Sequence, residues 1–230
     1  MVIAIVAVLV AIVVPSLGGA RRSGWQTKSL ANIRTIGQWV SVYATDSQGL
    51  YPCSVPGREY PMAIPGVSAS VSHWVSASSW PALLHAVAPW ESNQGVYLAP
   101  KASRLTTGKV LPLEPRASYA YSSSFLGRPE IWVAGSVPDP ALEAGRRESD
   151  VLFTSSKVLM WEEELPYLSK MPAMDGVDIA VPVPVLMADG SASTRIPSRA
   201  TDAVRNPFTT SPYQTNRLAN TPRGVRGNDY

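Results

Sequence analysis

Few residues of this chain have the type and spacing that catalysis requires. The two histidines, His73 and His85, have no carboxylate near them in the sequence before Glu91. The motifs of zinc proteases (H-E-x-x-H), hydrolase nucleophile elbows (G-x-S-x-G) and P-loops are absent from the sequence. The serine run 122–124 lacks a partner base, which a serine nucleophile needs within hydrogen-bonding reach. We therefore expect the protein not to be an enzyme.

Three aspartates are candidates for a metal site. Asp175 and Asp178 lie in the segment MDGVDIA, where Gly176 would permit a turn, and Asp189 follows in a later loop. Calcium prefers several oxygen ligands of this kind. The segment lacks the dense D-x-D-x-D pattern, and aspartates more commonly form turns or cap helices. We expect no obligatory cofactor, with calcium at these three aspartates as the alternative.

Aromatic residues provide the remaining candidates for binding. Most of the seven tryptophans fall in apolar stretches and are expected to pack in the core. Trp74 and Trp80 lie instead in a serine-rich segment, which makes them candidate ligand contacts, for example by stacking on a sugar. The acidic run 162–164 is interpreted as solvating the end of a strand, and contact with a basic partner is the alternative.

Composition limits the class of protein. Charged residues make up 16% of the chain, below the typical quarter, and 21 prolines and 16 glycines are scattered along it. This pattern predicts short strands and long connections. The net charge is +3, without a dense basic run, so no nucleic-acid partner is expected. Cys53 is the only cysteine, which excludes an intramolecular disulfide. It predicts a buried or incidental thiol, with an intermolecular bridge as the alternative.

The N-terminal segment is typical of a membrane helix. Residues 1–14 are entirely apolar, Pro15 follows, and Arg21 and Arg22 are the first charges. A helix over residues 1–20 would be about 30 Å long, the thickness of the hydrocarbon core of a bilayer. A cleavable signal ending near residue 20 lacks the usual positive start. A plain anchor with both arginines in the cytoplasm would leave the domain inside the cell, which fits its composition poorly.

A third interpretation extends this helix. Residues 21–46 carry one apolar stripe at helical spacing, with polar residues on the other faces and Gly49 as a helix cap. The stripe comprises Leu30, Ile33, Ile36, Val40 and Tyr43; the polar set comprises Asn32, Arg34, Thr35, Gln38 and Ser41. A membrane helix would thus continue, past a proline kink, into an amphipathic helix that packs on a domain.

The rest of the chain predicts an exported α+β domain over residues 47–208. A short helix is expected from Pro81 to Trp90, with Pro89 as its stop. Strands are expected at residues 117–121, 157–161, 183–188 and 191–196, the last two joined by a hairpin at Asp189-Gly190. Residues 209–230 form a polar tail that is expected to be loosely packed. The overall expectation is a long N-terminal helix on a small antiparallel sheet with long loops.

Several segments resemble the type IV pilins and type II secretion pseudopilins. They are VIAIVAVLVAIVVPSLGGAR, SLANIRTIGQWVSVYATDSQGLYP, VPVLMADGSAS and the closing TPRGVRGNDY, and together they cover about residues 1–52 and 183–230. Members of that superfamily carry a basic leader and then Phe-Thr-Leu-Ile-Glu before the apolar run. This sequence lacks both, including the glutamate. We interpret the recorded start as lying inside the mature helix, and the alternative is that this copy has lost processing.

The resemblance implies a structural subunit of a secretion or surface filament. The chain would be a single-pass protein of the bacterial cytoplasmic membrane with its C-terminal domain exported. Its partners would be membrane lipid, homologous pilin-like subunits and the assembly machinery. Arg21 and Arg22 would mark the membrane border, and the assembly residues would be Val2, Ile5, Val6, Leu9, Ile12, Val13 and Pro15. The alternative is an anchored or released binding module that uses its Trp-rich loop for a carbohydrate or peptide.

Overall fold

The chain begins with one long helix on which the rest of the fold is built. The computed structural model describes residues 2–55, 58–61, 68–102, 117–168, 179–209 and 215–230, with residues 2–16 and 68–70 described in their backbone only. Helix α1 runs without interruption from Val2 to Asp46. It ends where Gly49 adopts a φ of 81° and donates its N–H to the carbonyl of Ala44 at 2.7 Å. Glycine reaches this left-handed conformation at little cost, and the predicted cap is confirmed.

The described residues form two antiparallel sheets. The strands are β1 (Glu59–Pro61), β2 (Ser68–Ser70), β3 (Tyr119–Tyr121), β4 (Val158–Glu162), β5 (Val183–Met187) and β6 (Ala192–Arg195). β1 pairs with β2, and the main sheet has the order β3-β4-β5-β6. The predicted hairpin between β5 and β6 is confirmed, with Gly190 at a φ of 81° and the Asp189 carboxylate accepting the N–H of Ser191 at 2.9 Å.

One face of the main sheet is covered by α1. Ile33, Ile36 and Val40 of the predicted stripe are buried against it, and Leu30 and Tyr43 flank them half-buried. The closest approach is at Gly37, where a Cβ atom would lie 2.7 Å from Cδ1 of Leu186. A larger residue there would require the Leu186 side chain to move. The expectation of an α+β fold with a helix on an antiparallel sheet is therefore confirmed.

Two short helices close the edge of this layer. α2 spans Ser76–Leu83 and α3 spans Trp90–Tyr97. The predicted helix from Pro81 to Trp90 is wrong in its bounds: Pro81 lies inside α2, and Pro89 precedes α3 instead of stopping a helix. α2 accommodates its proline because Ser79 leaves helical geometry, with φ −101° and ψ 18°.

Asn32 of α1 belongs to the predicted polar set of the helix, yet it lies in the protein interior. Its side chain is buried, and Nδ2 donates to the carbonyls of Gly95 and Leu98 at 3.1 and 3.2 Å. These carbonyls lie at the end of α3, where a helix leaves acceptors without intrahelical partners. Asn32 therefore fastens α3 to α1.

The opposite face of the sheet is covered by the C-terminal segment. Leu218 and Ala219 are buried in one cluster with Val185 and Met187 of β5. The prediction of a loosely packed tail is wrong for residues 215–230, because polar side chains there bond to the protein interior. Asn220 and Thr221, for example, are completely buried.

Candidate functional site

Helix α1 projects beyond the domain before it packs on it. Every residue from Leu17 to Gly24 is exposed, and Ser29 is the first completely buried side chain from Leu17 onward. Arg21 and Arg22, the predicted membrane border, lie in the exposed part. The helix therefore presents a free segment to the surroundings and a packed segment to the sheet, and the change occurs over about one turn.

The predicted membrane and assembly residues precede this exposed segment. Val2, Ile5, Val6, Leu9, Ile12, Val13 and Pro15 have a helical backbone, and their side chains lie outside the described residues. Over the part of the chain that the structure describes, no helix combines the length and the apolar character that crossing a membrane requires.

Three side chains surround the point where α1 first contacts the domain. Trp25 packs half-buried, and the ammonium group of Lys101 lies 4.3 Å from the centre of its ring. Gln26 Nε2 donates to the carbonyl of Pro182 at 3.4 Å. These contacts come from the loop after α3 and from the start of β5, so they hold the helix from two sides.

A buried carboxyl group lies one turn further along. Glu162, at the end of β4, is 0% exposed, and its Oε2 accepts hydrogen bonds from Ser29 Oγ at 2.7 Å and Tyr167 OH at 2.6 Å. The Ser29 hydroxyl also lies 3.0 Å from the Tyr119 hydroxyl. The interpretation of the acidic run 162–164 as solvated is therefore wrong for Glu162, because its side chain points between α1 and the sheet.

The surroundings of Glu162 favour its neutral form. Burial raises its pKa to about 7, the hydrogen bonds from Tyr167 and Ser29 oppose this, and the negative charge of Glu164 adds to it. Oε1 is buried without a hydrogen-bond partner among the described residues. The joint between helix and domain thus contains a carboxyl group that titrates near neutral pH.

A second buried charge fixes the C-terminus. Lys157 and Asp229 form an ion pair at 3.1 Å with both side chains 0% exposed. Asp229 Oδ2 also accepts the N–H of Val158 at 2.6 Å, and Thr221 Oγ1 bonds to both partners. Burial lowers the pKa of Lys157, and the adjacent carboxylate of Asp229 opposes this. This arrangement fastens the end of the chain to the start of β4.

The two tryptophans proposed as ligand contacts differ in their exposure. Trp80 is 0% exposed and donates its indole N–H to the carbonyl of Tyr119 at 2.8 Å, so the prediction of a ligand contact is wrong for it. Trp74 is half-buried, and it lines a cavity of about 610 Å³ beside β3. Its ring stacks on Phe208 at 4.8 Å between centroids.

Four of the other candidate residues make contacts within the fold. Ser122 and Ser124 donate to the carbonyl of Ala219 at 3.1 and 2.9 Å, which ties β3 to the C-terminal segment. His73 bonds to the carbonyl of Leu126 through Nε2. Cys53 is buried, as predicted.

The calcium candidates are only partly covered by the structure. Asp175 and Asp178 lie outside the described residues. Asp189 closes the β5–β6 turn, and no group of three His, Cys, Asp or Glu side chains with metal-binding geometry occurs among the described residues.

Comparison with known proteins returned no similar protein: no family model, no curated protein and no solved structure matches this chain.

Proposed function

We propose that this chain is a pilin-like or pseudopilin-like structural subunit of a bacterial secretion or surface filament. Before assembly it would be anchored in the cytoplasmic membrane by the start of α1, with the domain exported. Its partners would be membrane lipid, other pilin-like subunits and the assembly machinery. The proposal requires neither catalysis nor a cofactor.

One observation carries the proposal: the apolar N-terminal sequence and the helix on the sheet belong to a single helix, α1. The free end of the helix is thus joined to the domain by continuous helix, with neither a loop nor a linker between them. Residues 17–24 project without covering contacts, which leaves this length of helix accessible to neighbours.

Assembly would move the projecting helix from lipid into a bundle of identical helices. Lipid tails are as apolar as the helix itself, so association there depends on close packing between helices more than on the hydrophobic effect. Arg21 and Arg22 would stay at the membrane border, because placing a charge in the hydrocarbon core is costly.

The first test places a charge in the proposed bundle. Val6→Asp and Leu9→Asp should abolish the chemically cross-linked multimers that the wild-type chain forms in its native membranes. Val137→Asp is the matched control, because Val137 is 72% exposed on the domain and receives the same change. Membrane fractionation of each variant separates lost assembly from lost anchoring. If the wild-type protein yields no cross-linked multimers, the filament proposal is refuted and an anchored binding module is left.

The second test is the mass and N-terminal sequence of the protein from native membranes. A mature chain that starts upstream of Met1 with a methylated phenylalanine would support prepilin processing. A chain that starts near Arg21 would show a cleaved signal and a released domain, which contradicts the proposal. An unprocessed start at Met1 would favour a simple anchor over assembly.

A binding module remains the second candidate function, on one observation. The cavity that contains Trp74 is lined, among the described residues, by none from α1. A ligand could therefore occupy it whether or not the helix assembles.

A further inference from the structure

Exposed cations lie around the point where α1 leaves the domain. Arg21, Arg22 and Lys28 are exposed on the helix, and Lys101 is exposed on the loop after α3. We call these four residues the basic collar. The sequence contains no acidic residue before Asp46. Among the described residues, none of the four takes part in an ion pair, so the collar can accept an anionic partner.

The domain holds Lys101 against the helix. The backbone of Lys101 adopts the left-handed conformation with a φ of 70°, which is unfavourable for a residue with a Cβ atom. Its turn is closed by the N–H of Ala102, which donates to the carbonyl of Ala99 at 2.9 Å. The ammonium group lies 4.3 Å from the centre of the Trp25 ring, where the face of the ring attracts a cation. Lys101 therefore adds a charge from the domain at the level of Trp25.

The collar extends over about the depth of a lipid headgroup layer. A bilayer of about 40–45 Å contains about 30 Å of hydrocarbon, so each headgroup layer is about 5–8 Å thick. Since a helix rises about 1.5 Å per residue, Trp25 lies about 5 Å and Lys28 about 9 Å beyond Arg22. With Arg22 at the edge of the hydrocarbon, Trp25 and Lys101 lie at the level of the headgroups. Tryptophan is enriched at this level of membrane proteins.

The acidic side chains at this end of the main sheet are covered more than the cations of the collar. Glu162 is completely buried, and Glu163 and Glu164 are half-buried. Glu164 accepts the hydroxyl group of Ser118 at 2.7 Å, so it bonds to the start of β3. At this end of α1 the acids are thus partly or fully covered, whereas the cations are open to a partner.

A lipid surface is the anionic partner that the position of the collar favours. The collar follows the apolar residues 1–14 on the same continuous helix. A chain that is anchored by this helix holds its collar at the surface of its own bilayer, next to the lipid phosphates.

We propose that the basic collar binds the phosphate groups of anionic phospholipids and seats the domain on the membrane surface. This inference rests on the proposed membrane anchor. It adds the class of lipid and, through Lys101, a contribution of the domain to the contact.

The test measures lipid preference instead of anchoring. The full chain is reconstituted into phosphatidylcholine vesicles with a trace of spin-labelled phosphatidylglycerol or spin-labelled phosphatidylcholine. Electron paramagnetic resonance gives the fraction of each probe that the protein immobilises, and hence the ratio of the two association constants. The wild type should prefer phosphatidylglycerol. Raising the salt from about 0.1 M to about 1 M should lower this preference, because the Debye length falls from about 10 Å to about 3 Å.

Lys101→Gln tests the contribution of the domain. One cation near an anionic surface raises the affinity about fivefold, so the variant should lower the preference, by about fivefold at most. Lys28→Gln is a second variant in case Lys101→Gln fails to fold, and thermal unfolding reports folding for each. Arg226→Gln is the matched control, because Arg226 is exposed and its turn packs on residues 123–125. It should leave the preference unchanged.

Vesicle flotation distinguishes failure of the collar from failure of the anchor. A chain that does not float with phosphatidylcholine vesicles refutes the membrane anchor and this inference with it. A chain that floats but shows no preference for phosphatidylglycerol overturns this inference alone and favours an acidic protein as the partner of the collar. Wild-type preference in both lysine variants overturns it as well.

Discussion

Strand β4 has a buried ionisable side chain at each of its ends, and the two side chains have different bonding partners. Lys157, immediately before the strand, is paired with the Asp229 carboxylate at 3.1 Å. Glu162, the last residue of the strand, accepts hydrogen bonds from the hydroxyls of Ser29 and Tyr167. One end therefore contains opposite charges in contact, and the other contains a single acid among hydroxyls.

The two ends of β4 attach different parts of the chain to the sheet. The ion pair joins the C-terminal segment to the sheet, and removing one partner would leave a buried charge without compensation. The hydroxyl-bonded acid lies between the sheet and α1, where its charge can be removed by a proton at near-neutral pH. We therefore expect the helix attachment to depend on pH near neutrality more than the C-terminal attachment does.

The largest effect is expected from breaking the ion pair. Asp229→Ala leaves Lys157 buried without its counter-charge and removes the acceptor for the N–H of Val158. We expect the free energy of unfolding to fall by about 3–5 kcal/mol. Denaturant unfolding of the detergent-solubilised full chain, followed by tryptophan fluorescence, measures it.

A double variant separates charge from packing at the same site. Lys157→Met with Asp229→Leu removes both charges, so its stability should lie closer to the wild type than that of Asp229→Ala. Asp202→Ala is the matched control, because Asp202 pairs with Arg217 at the surface with 86% of its side chain exposed. It should change stability by less than about 1 kcal/mol. A double variant as unstable as the single one would contradict a role for charge pairing.

The contacts of the buried side chains at the two ends of β4 could not be predicted from the sequence. Local patterns identify α1, the strands and the Asp189-Gly190 hairpin, because helical spacing, alternation and turn chemistry involve neighbouring residues. Glu162 bonds to a serine 133 positions away, and Lys157 to an aspartate 72 positions away. No spacing rule links such residues, and single-sequence patterns place charged residues at the surface by default.

The same limit explains why the sequence did not reveal the buried positions of Asn32 and Trp80. Asn32 matches a polar face in the helical pattern, and only α3 shows why it is buried. Trp74 and Trp80 share one serine-rich segment, and the structure distinguishes them because α2 begins between them. The sequence shows only that Asn32 adjoins the apolar stripe. Its burial becomes evident once α3 supplies the carbonyl groups to which it bonds.

The next effect concerns the pH dependence of the helix attachment. The ordinary pKa of Glu162 is 4.5, and burial raises it to about 7 in the folded state. Between these values the folded protein binds more protons than the unfolded one, so stability falls as the pH rises through this window. The difference corresponds to about 3 kcal/mol, which is lost progressively between about pH 4.5 and pH 7.

Glu162→Gln should remove this loss, because its amide accepts the same hydrogen bonds without a charge. We expect the variant to be more stable than the wild type at pH 8 and about equal to it at pH 4. Thermal unfolding across this range measures the effect, and the exposed Glu130→Gln is the matched control. A wild type and a Glu162→Gln variant with parallel pH profiles would contradict a titrating Glu162.

The smallest effect tests the hydroxyls that Glu162 has in place of a cation. Ser29→Ala or Tyr167→Phe removes one hydrogen bond to Oε2, and both bonds oppose the rise of the pKa. Each variant should raise the pKa of Glu162 further and lower the stability by about 1 kcal/mol. Carbon-13 NMR titration of the Glu162 carboxyl measures the shift directly.

Ser23→Ala is the control on the exposed part of α1, and it should leave the titration unchanged. If Ser29→Ala lowers the pKa, then water or another donor reaches the carboxyl, and the helix attachment is not sealed as the structure indicates.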